Sequence, residues 1–243
     1  MKIKFWVLFI VLVVATGAGS VYLSMLLMDA THEDTTPAPT ATPRPGRRVP
    51  VYPPDAEYDF EPPYIPHAVQ LAVPILDQRA LGLPHGCEIV SLAMLIAFHN
   101  GPDSFCLDTL VDAMPRSPNP RLGFRGNPRA TGFTILPAAL LPLANQHLDG
   151  AFDMTGASLG DLRAQLAAYR PVMVWVGGRM HGFTVHAVVV TGYNRYGFYL
   201  NDPWTGEQNY FMPYVEFLQH WNCRIRDFYI FDYYFPPRMA IGF

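Results

Sequence analysis

A cysteine and a histidine are the residues of this sequence best suited to nucleophilic chemistry. Cys87 follows a Pro- and Gly-containing loop and begins an amphipathic helical run, whose apolar residues are expected on one broad face. The free N–H groups and the positive dipole end in a helix's first turn favour a thiolate. His186 interrupts an apolar, β-type run, where an imidazole needs a polar partner. Either residue alone is more often structural, but together they form the pair that activates a thiol nucleophile.

Three further polar residues are candidates to complete such a site. Asn201 and Asp202 end the strand predicted after His186. They point to opposite faces of that strand, so at most one of them orients the imidazole. We favour Asp202, although Asp before Pro is also common in turns. Gln78, in the loop before Cys87, has an amide suited to donate to an oxyanion, and an exposed loop glutamine is the alternative.

Four more residues are candidates to bind substrate because they adjoin these positions. His85 and Gly86 directly precede Cys87, His181 lies in the glycine-rich loop before His186, and Trp204 follows Asp202. For both histidines an ordinary surface role is the more common one. No cluster of His, Cys and carboxylate residues has metal-ligand spacing, so we expect neither a metal nor another cofactor.

The elements that position these residues change in type along the chain. Helices are predicted over residues 87–100, 136–147, 158–169 and 215–221. The helix at 158–169 begins with a capping-box pattern, Ser158 followed by Asp161. Strands are predicted over residues 172–176, 183–193, 198–202 and 228–234. Helices followed by antiparallel strands indicate an α+β domain.

The N-terminal part of the chain predicts a membrane anchor and a spacer. Residues 5–28 carry no charge and are long enough to cross a bilayer as a helix. Lys2 and Lys4 precede them, so residues 1–4 are expected in the cytoplasm and the rest outside. A cleaved signal peptide is the alternative, which would make the protein secreted. Residues 29–66 are a Thr- and Pro-rich linker, residues 67–235 the globular domain, and residues 236–243 a C-terminal tail.

Charge and cysteine content restrict the possible partners and the possible disulfides of the protein. The 243-residue chain has a net charge of −3 and no cluster of Lys and Arg, so no nucleic-acid partner is expected. Its three cysteines fit one disulfide and one working thiol, or three free thiols. Cys106 and Cys223 are the candidate disulfide pair if the domain is extracellular.

These residues, in this order, resemble the bacterial C39-like peptidase family, a branch of the papain-like cysteine peptidases. More specifically, they resemble the subgroup that stands alone as secreted or membrane-anchored proteins. No ATPase or channel domain is present in this sequence, so the resemblance does not imply the leader-peptide processing role of the transporter-linked members. The blocks that carry it, from the Gly-Cys-Glu motif to the Asn-Asp-Pro-x-x-Gly motif, are Gln78 and residues 86–88, 91–94, 126–128, 171–175, 186–193 and 201–206. The loop 79–86 is longer than in the transporter-linked members.

The resemblance implies a papain-like fold, with N-terminal helices packed on an antiparallel β-sheet and one transmembrane helix before them. It implies an extracytoplasmic cysteine peptidase that cleaves peptide or isopeptide bonds. In that scheme Cys87 is the nucleophile, His186 the general base and then acid, Asp202 the orienting residue and Gln78 the oxyanion donor. The expected substrate is a peptide or protein, including cell-wall peptide, and the expected state is a monomer.

Two other functions remain open on the same residues. A catalytically silent papain-like module would bind peptides or cell-wall fragments without cleaving them. An acyl-transfer enzyme or amidase would use the same triad with a different acceptor or bond.

Overall fold

A computed structural model describes residues 65–226 and 234–243 of the chain. The predicted anchor at residues 5–28, nearly all of the linker at 29–66 and all but the last residue of the strand predicted at 228–234 lie outside these ranges. In the described part of the chain, no helix combines the length and the apolar character that a membrane span requires.

An antiparallel sheet of seven strands forms the centre of the described domain. The strands are β1 (Val69–Gln70), β2 (Phe152–Asp153), β3 (Val172–Val176), β4 (His186–Tyr193), β5 (Gly197–Asp202), β6 (Glu207–Pro213) and β7 (Ala240–Gly242). Their order is β2-β7-β3-β4-β5-β6, and β1 pairs with the end of β4. Both β3 and β4 are buried along their whole length, which explains their continuous apolar runs.

Five helices of the described residues surround this sheet. They are α1 (Cys87–Asn100), α2 (Leu107–Ala113), α3 (Pro137–Ala144), α4 (Leu159–Ala167) and α5 (Tyr214–Trp221). The predicted capping box of α4 is confirmed, because Ser158 Oγ accepts from the Asp161 N–H and the Asp161 carboxylate accepts from the Ser158 N–H. Helices packed with an antiparallel sheet confirm the α+β class.

The helix α1 is the main support of the sheet. Its predicted bounds are confirmed, but its predicted single apolar face is wrong, since every residue from Cys87 to Ala97 is buried. The helix packs on β4 through the Ser91 hydroxyl, which donates to the Ala187 carbonyl. The other side of α1 is covered by α2 and by the loop that carries Thr134. A helix enclosed in this way is apolar nearly all round.

The C-terminal residues belong to the sheet and are not a tail. Residues 236–243 were predicted to lie outside the domain, whereas Ile241 pairs with Met173 of β3 and with Asp153 of β2. Ala240, Ile241 and Gly242 are buried in these pairings. A strand of three residues is too short to show a periodic pattern in the sequence, so it is recognised only by its pairing with β2 and β3 in the structure.

Asn201 connects the segment that leads to α1 with the sheet. Its buried side-chain amide donates to the Val73 carbonyl at 2.9 Å, and its side-chain oxygen accepts from the Asn209 N–H at 3.0 Å. The next residues of this segment are held as well, because the Gln78 N–H donates to the Pro203 carbonyl. The loop before Cys87 is therefore bonded to the end of β5.

Replacing Asn201 by Ala is expected to lower the free energy of unfolding by about 1–3 kcal/mol, because the Asn209 N–H loses its acceptor and the Val73 carbonyl loses its buried donor. Urea unfolding followed by tryptophan fluorescence measures this change. The matched control is Gln208→Ala, since Gln208 donates to the same Val73 carbonyl from a more exposed position and water can replace it. Equal losses in the two variants would contradict the assigned role of Asn201.

Candidate active site

Cys87 is the first residue of α1, and the preceding turn holds it there. The Gly86 N–H donates to the Leu83 carbonyl, and a Cβ on Gly86 would come within 2.8 Å of the Leu83 Cβ. Glycine is needed at 86 because of this close approach. His85 is half-buried in the same turn, and its N–H donates to the Pro128 carbonyl. The Cys87 side chain is only 7% exposed.

The surroundings of Cys87 favour the neutral thiol over the thiolate. Burial, with the neighbouring Glu88 carboxylate second, raises the pKa of Cys87 well above its usual value. Hydrogen bonds from the backbone N–H groups of Ala187 and Glu88 act in the opposite direction. Burial therefore opposes the thiolate that the helix start was expected to favour. A nucleophile at this position needs a base.

His186 and Asp202 form a buried pair on neighbouring strands. His186 Nε2 lies 2.8 Å from Asp202 Oδ1, and each residue is 1% exposed. Burial acts to raise the pKa of Asp202, but the hydrogen bond and charge of His186 hold that pKa below its usual value. The other ring nitrogen, Nδ1, is buried and has no hydrogen-bond partner among the described residues. A neutral ring that donates from Nε2 carries its lone pair on Nδ1.

Contacts across the interface of α1 and β4 place His186 and Cys87 in the same region of the domain. His186 is the first residue of β4, and the next residue, Ala187, contacts both the Cys87 sulfur and the Ser91 hydroxyl. The charge of His186 also acts on Glu88, the second residue of α1. The imidazole and the thiol therefore share one buried region.

Asp202 and Asn201 have separate roles because they face opposite sides of β5. Asp202 accepts from the backbone N–H of Trp204 at 2.8 Å in addition to its contact with His186. Asn201 is directed away from the imidazole, towards Val73. The carboxylate is thus the group that orients the ring.

His181 contacts the second oxygen of the same carboxylate. Its Nε2 lies 2.7 Å from Asp202 Oδ2, and its side chain is 33% exposed. A tight loop returns His181 to this position, since Arg179 and His181 both have positive φ, as do Gly178 and Gly182. In the structure His181 supports Asp202 at the solvent side of the pair.

An aromatic wall adjoins the imidazole. Phe183 stacks on His186 with ring centroids 5.3 Å apart, and Trp204 meets Phe183 edge to face at 4.8 Å. The Arg79 guanidinium lies 5.2 Å from the Trp204 ring centroid. Trp204 thus belongs to the aromatic wall beside His186. Phe183 was not singled out from the sequence, where it reads as one more strand residue.

Gln78 is buried, not an exposed loop residue. It is 1% exposed, and its Nε2 donates to the Pro84 carbonyl at 3.1 Å. Its Oε1 has no hydrogen-bond partner in the described part of the chain. The Leu83 N–H donates to the Gln78 carbonyl, so the side chain lies under the turn that leads to Cys87. One amide N–H remains for another acceptor.

Glu88 and Thr134 are site residues that sequence reasoning missed. Cys87 Sγ and Glu88 Oε2 are 3.2 Å apart, and the Thr134 hydroxyl donates to Glu88 Oε1 at 2.5 Å. Both residues have no exposed surface. An acidic residue in a helix's first turn ordinarily indicates a solvated dipole partner. In the sequence, only the position of Glu88 next to Cys87 indicated that it could belong to the site.

The other two cysteines are free thiols. Cys106 is exposed and Cys223 half-buried, and the structure does not pair them. Among residues 65–226 and 234–243, no group of three His, Cys, Asp or Glu side chains is arranged to hold a metal ion.

The chain was compared with known proteins. The model of the Peptidase_C39 like family matches residues 70–225. A crystal structure from Bacillus anthracis, whose own description as a C39-like peptidase is provisional, is 24% identical. The match covers 73% of this chain and 97% of that chain, with a TM-score of 0.59, and it shows the fold. No curated protein matches.

Asp202→Asn is expected to slow alkylation of Cys87 by iodoacetamide at least ~10²-fold, because the imidazole loses the carboxylate that orients it as a base. Site-resolved mass spectrometry of the alkylated peptides measures the rate, with Cys106 as the internal reference. His181→Gln is the matched control, since it removes only the partner of the second oxygen and is expected to change the rate less than ~5-fold. An unchanged rate in Asp202→Asn would show that the His186–Asp202 pair does not activate Cys87.

Proposed function

Since the chain belongs to the Peptidase_C39 like family, we propose that it is a cysteine peptidase with the triad Cys87, His186 and Asp202. The α+β C39-like fold and the family membership support a peptidase type of function. One observation carries the triad: His186 Nε2 is bonded to Asp202, while its buried Nδ1 is unpartnered at the strand that contacts Cys87.

The proposed reaction follows from these positions. His186 Nδ1 takes the proton of the Cys87 thiol, and the thiolate attacks the carbonyl carbon of the scissile amide. The Cys87 N–H and the free amide N–H of Gln78 stabilise the oxyanion. The carbon–nitrogen bond then breaks, and His186 returns the proton to the leaving amine. Water, deprotonated by His186, hydrolyses the thioester and restores the thiol.

Pairing with His186 explains the role of Asp202 within the triad. The Asp202 carboxylate stays ionised because its pKa is lowered, so it stabilises the imidazolium that forms when Cys87 loses its proton. His181 and the Trp204 N–H satisfy the remaining lone pairs of the carboxylate. The carboxylate is thereby held in one orientation.

The finer features of the proposal come from the sequence. We assign a papain-like architecture, with Trp204, His85, Gly86 and His181 bordering the substrate. The bond is a peptide or isopeptide bond, with cell-wall peptide among the substrates, and the protein acts as a monomer without a cofactor. Residues 5–28 anchor it in the membrane with the domain outside, or are removed on secretion.

A binding module without catalysis is the second candidate, and one observation favours it. The Cys87 side chain is 7% exposed and its thiol has a raised pKa. A site that only binds peptides would need neither exposure nor ionisation of this sulfur.

Cys87→Ala is expected to abolish cleavage of a peptide library while the fold is retained, because the variant lacks the attacking atom. Mass-spectrometric profiling of the digest measures cleavage, and circular dichroism checks the fold. Cys106→Ala is the control and should cleave like the wild type. In addition, a peptidyl epoxide should label Cys87 in the wild type but not in His186→Ala. Full activity in Cys87→Ala would refute the mechanism, and peptide binding without cleavage or labelling would establish the binding module.

A further inference from the structure

A second carboxylic acid, which the proposed triad does not use, contacts the nucleophile. Glu88 Oε2 lies 3.2 Å from Cys87 Sγ, and Glu88 Oε1 accepts from the Thr134 hydroxyl. The side chain has no exposed surface. It is therefore enclosed between the sulfur on one side and an uncharged hydroxyl on the other.

The surroundings of Glu88 favour its neutral form. Burial raises the pKa of Glu88, while the Thr134 hydroxyl and, more weakly, the charge of His186 lower it. No Lys or Arg of the described ranges is among the groups that shift this pKa. The titratable groups that face it are Cys87 on its own helix and His186 on β4, and Asp202 on β5 lies behind His186. A buried carboxylate without a cation is costly, and protonation removes that cost.

An ionised Glu88 would oppose the chemistry of Cys87. Two negative charges at this separation, shielded from water, repel strongly. A protonated Glu88 reverses the effect, because its O–H then donates to the sulfur. The 3.2 Å separation fits donation in either direction, since hydrogen positions follow from protonation and not from the heavy atoms.

We propose that Glu88 is a catalytic residue that acts as a neutral carboxylic acid, donating a hydrogen bond to the Cys87 thiolate, and that ionisation of Glu88 switches the nucleophile off. This inference rests on the proposed function of Cys87. The thiol proton moves to His186 Nδ1, the proton of Glu88 stays on its oxygen, and the thiolate gains a donor. When Glu88 loses its proton, the sulfur takes the proton back from His186 and becomes the donor to the carboxylate.

Thr134 adjusts the pH at which this switch operates. Its hydroxyl donates to Glu88 Oε1, which stabilises the carboxylate and lowers the pKa of Glu88. Without that hydroxyl Glu88 remains neutral to higher pH. The loop that carries Thr134 thus acts on Cys87 through Glu88, although it does not contact the sulfur.

The test is the rate of Cys87 alkylation by iodoacetamide as a function of pH, measured on the full chain with site-resolved mass spectrometry. In the wild type the rate is expected to rise with pH and then to fall as Glu88 ionises. Glu88→Gln keeps an N–H donor and cannot ionise, so the fall should be absent. Above the pH of the fall it should react about 10-fold faster than the wild type, which corresponds to a change of one unit in the Cys87 pKa. Below that pH the two rates should agree within ~3-fold.

Two further variants make the test specific. Thr134→Val should move the fall to higher pH, and if Glu88→Gln does not fold, an unmoved fall in Thr134→Val overturns the inference. Glu216→Gln is the matched control, because Glu216 is the acidic residue in the first turn of α5, and it should reproduce the wild-type profile.

The contradicting outcomes are separable from failure of the triad. Identical profiles for the wild type and Glu88→Gln would overturn the inference and leave Glu88 a structural role. Faster alkylation of Glu88→Gln at every pH would also overturn it, because Glu88 would then be ionised, and would slow the reaction of Cys87, over the whole pH range. Failure of the proposed function has a different signature: alkylation of Cys87 that is equally slow in the wild type and in His186→Ala.

Discussion

The burial of ionisable groups between α1 and the sheet is the constraint on which this site depends. Cys87, Glu88, His186 and Asp202 are all at most 7% exposed, and buried polar groups must find partners. The imidazole bonds the carboxylate on the next strand, while the Glu88 carboxyl lies between the sulfur and the Thr134 hydroxyl. Pairing of this kind gives each group one orientation. Among these four described side chains, the ring nitrogen His186 Nδ1 is the buried atom left without a hydrogen-bond partner.

The bonds that hold the site together also hold the fold together. Asn201 joins the end of β5 to Val73, and the Gln78 N–H bonds the carbonyl of Pro203, one residue after Asp202. The loop that leads to Cys87 is therefore attached to the strand end that carries Asp202. These two segments are far apart in sequence, so they come close together only when the sheet has formed.

Much of the frame was predictable because it follows from local patterns. The bounds of α1 and β3, the capping box of α4 and the order of helices before strands came from apolar periodicity and turn residues. Some missed elements were short, such as β7, which has three residues and derives its place from its neighbours. The missed strand β6 has seven residues, but only one of them is buried, so it shows no apolar run. The pattern also gave α1 one apolar face, since it does not show what covers the opposite side.

By itself the sequence determined which residue types carry chemistry and in what order they occur: a cysteine opening a helix, a histidine in an apolar strand and Asn201–Asp202 at a strand end. Tertiary structure decided what these groups experience. It turned Asp202 rather than Asn201 to the imidazole, and it placed His181 on the second carboxylate oxygen. It also buried Glu88 against the thiol. The protonation of these side chains depends on their burial and on their distances from one another. Both arise only when segments that are distant in sequence pack together.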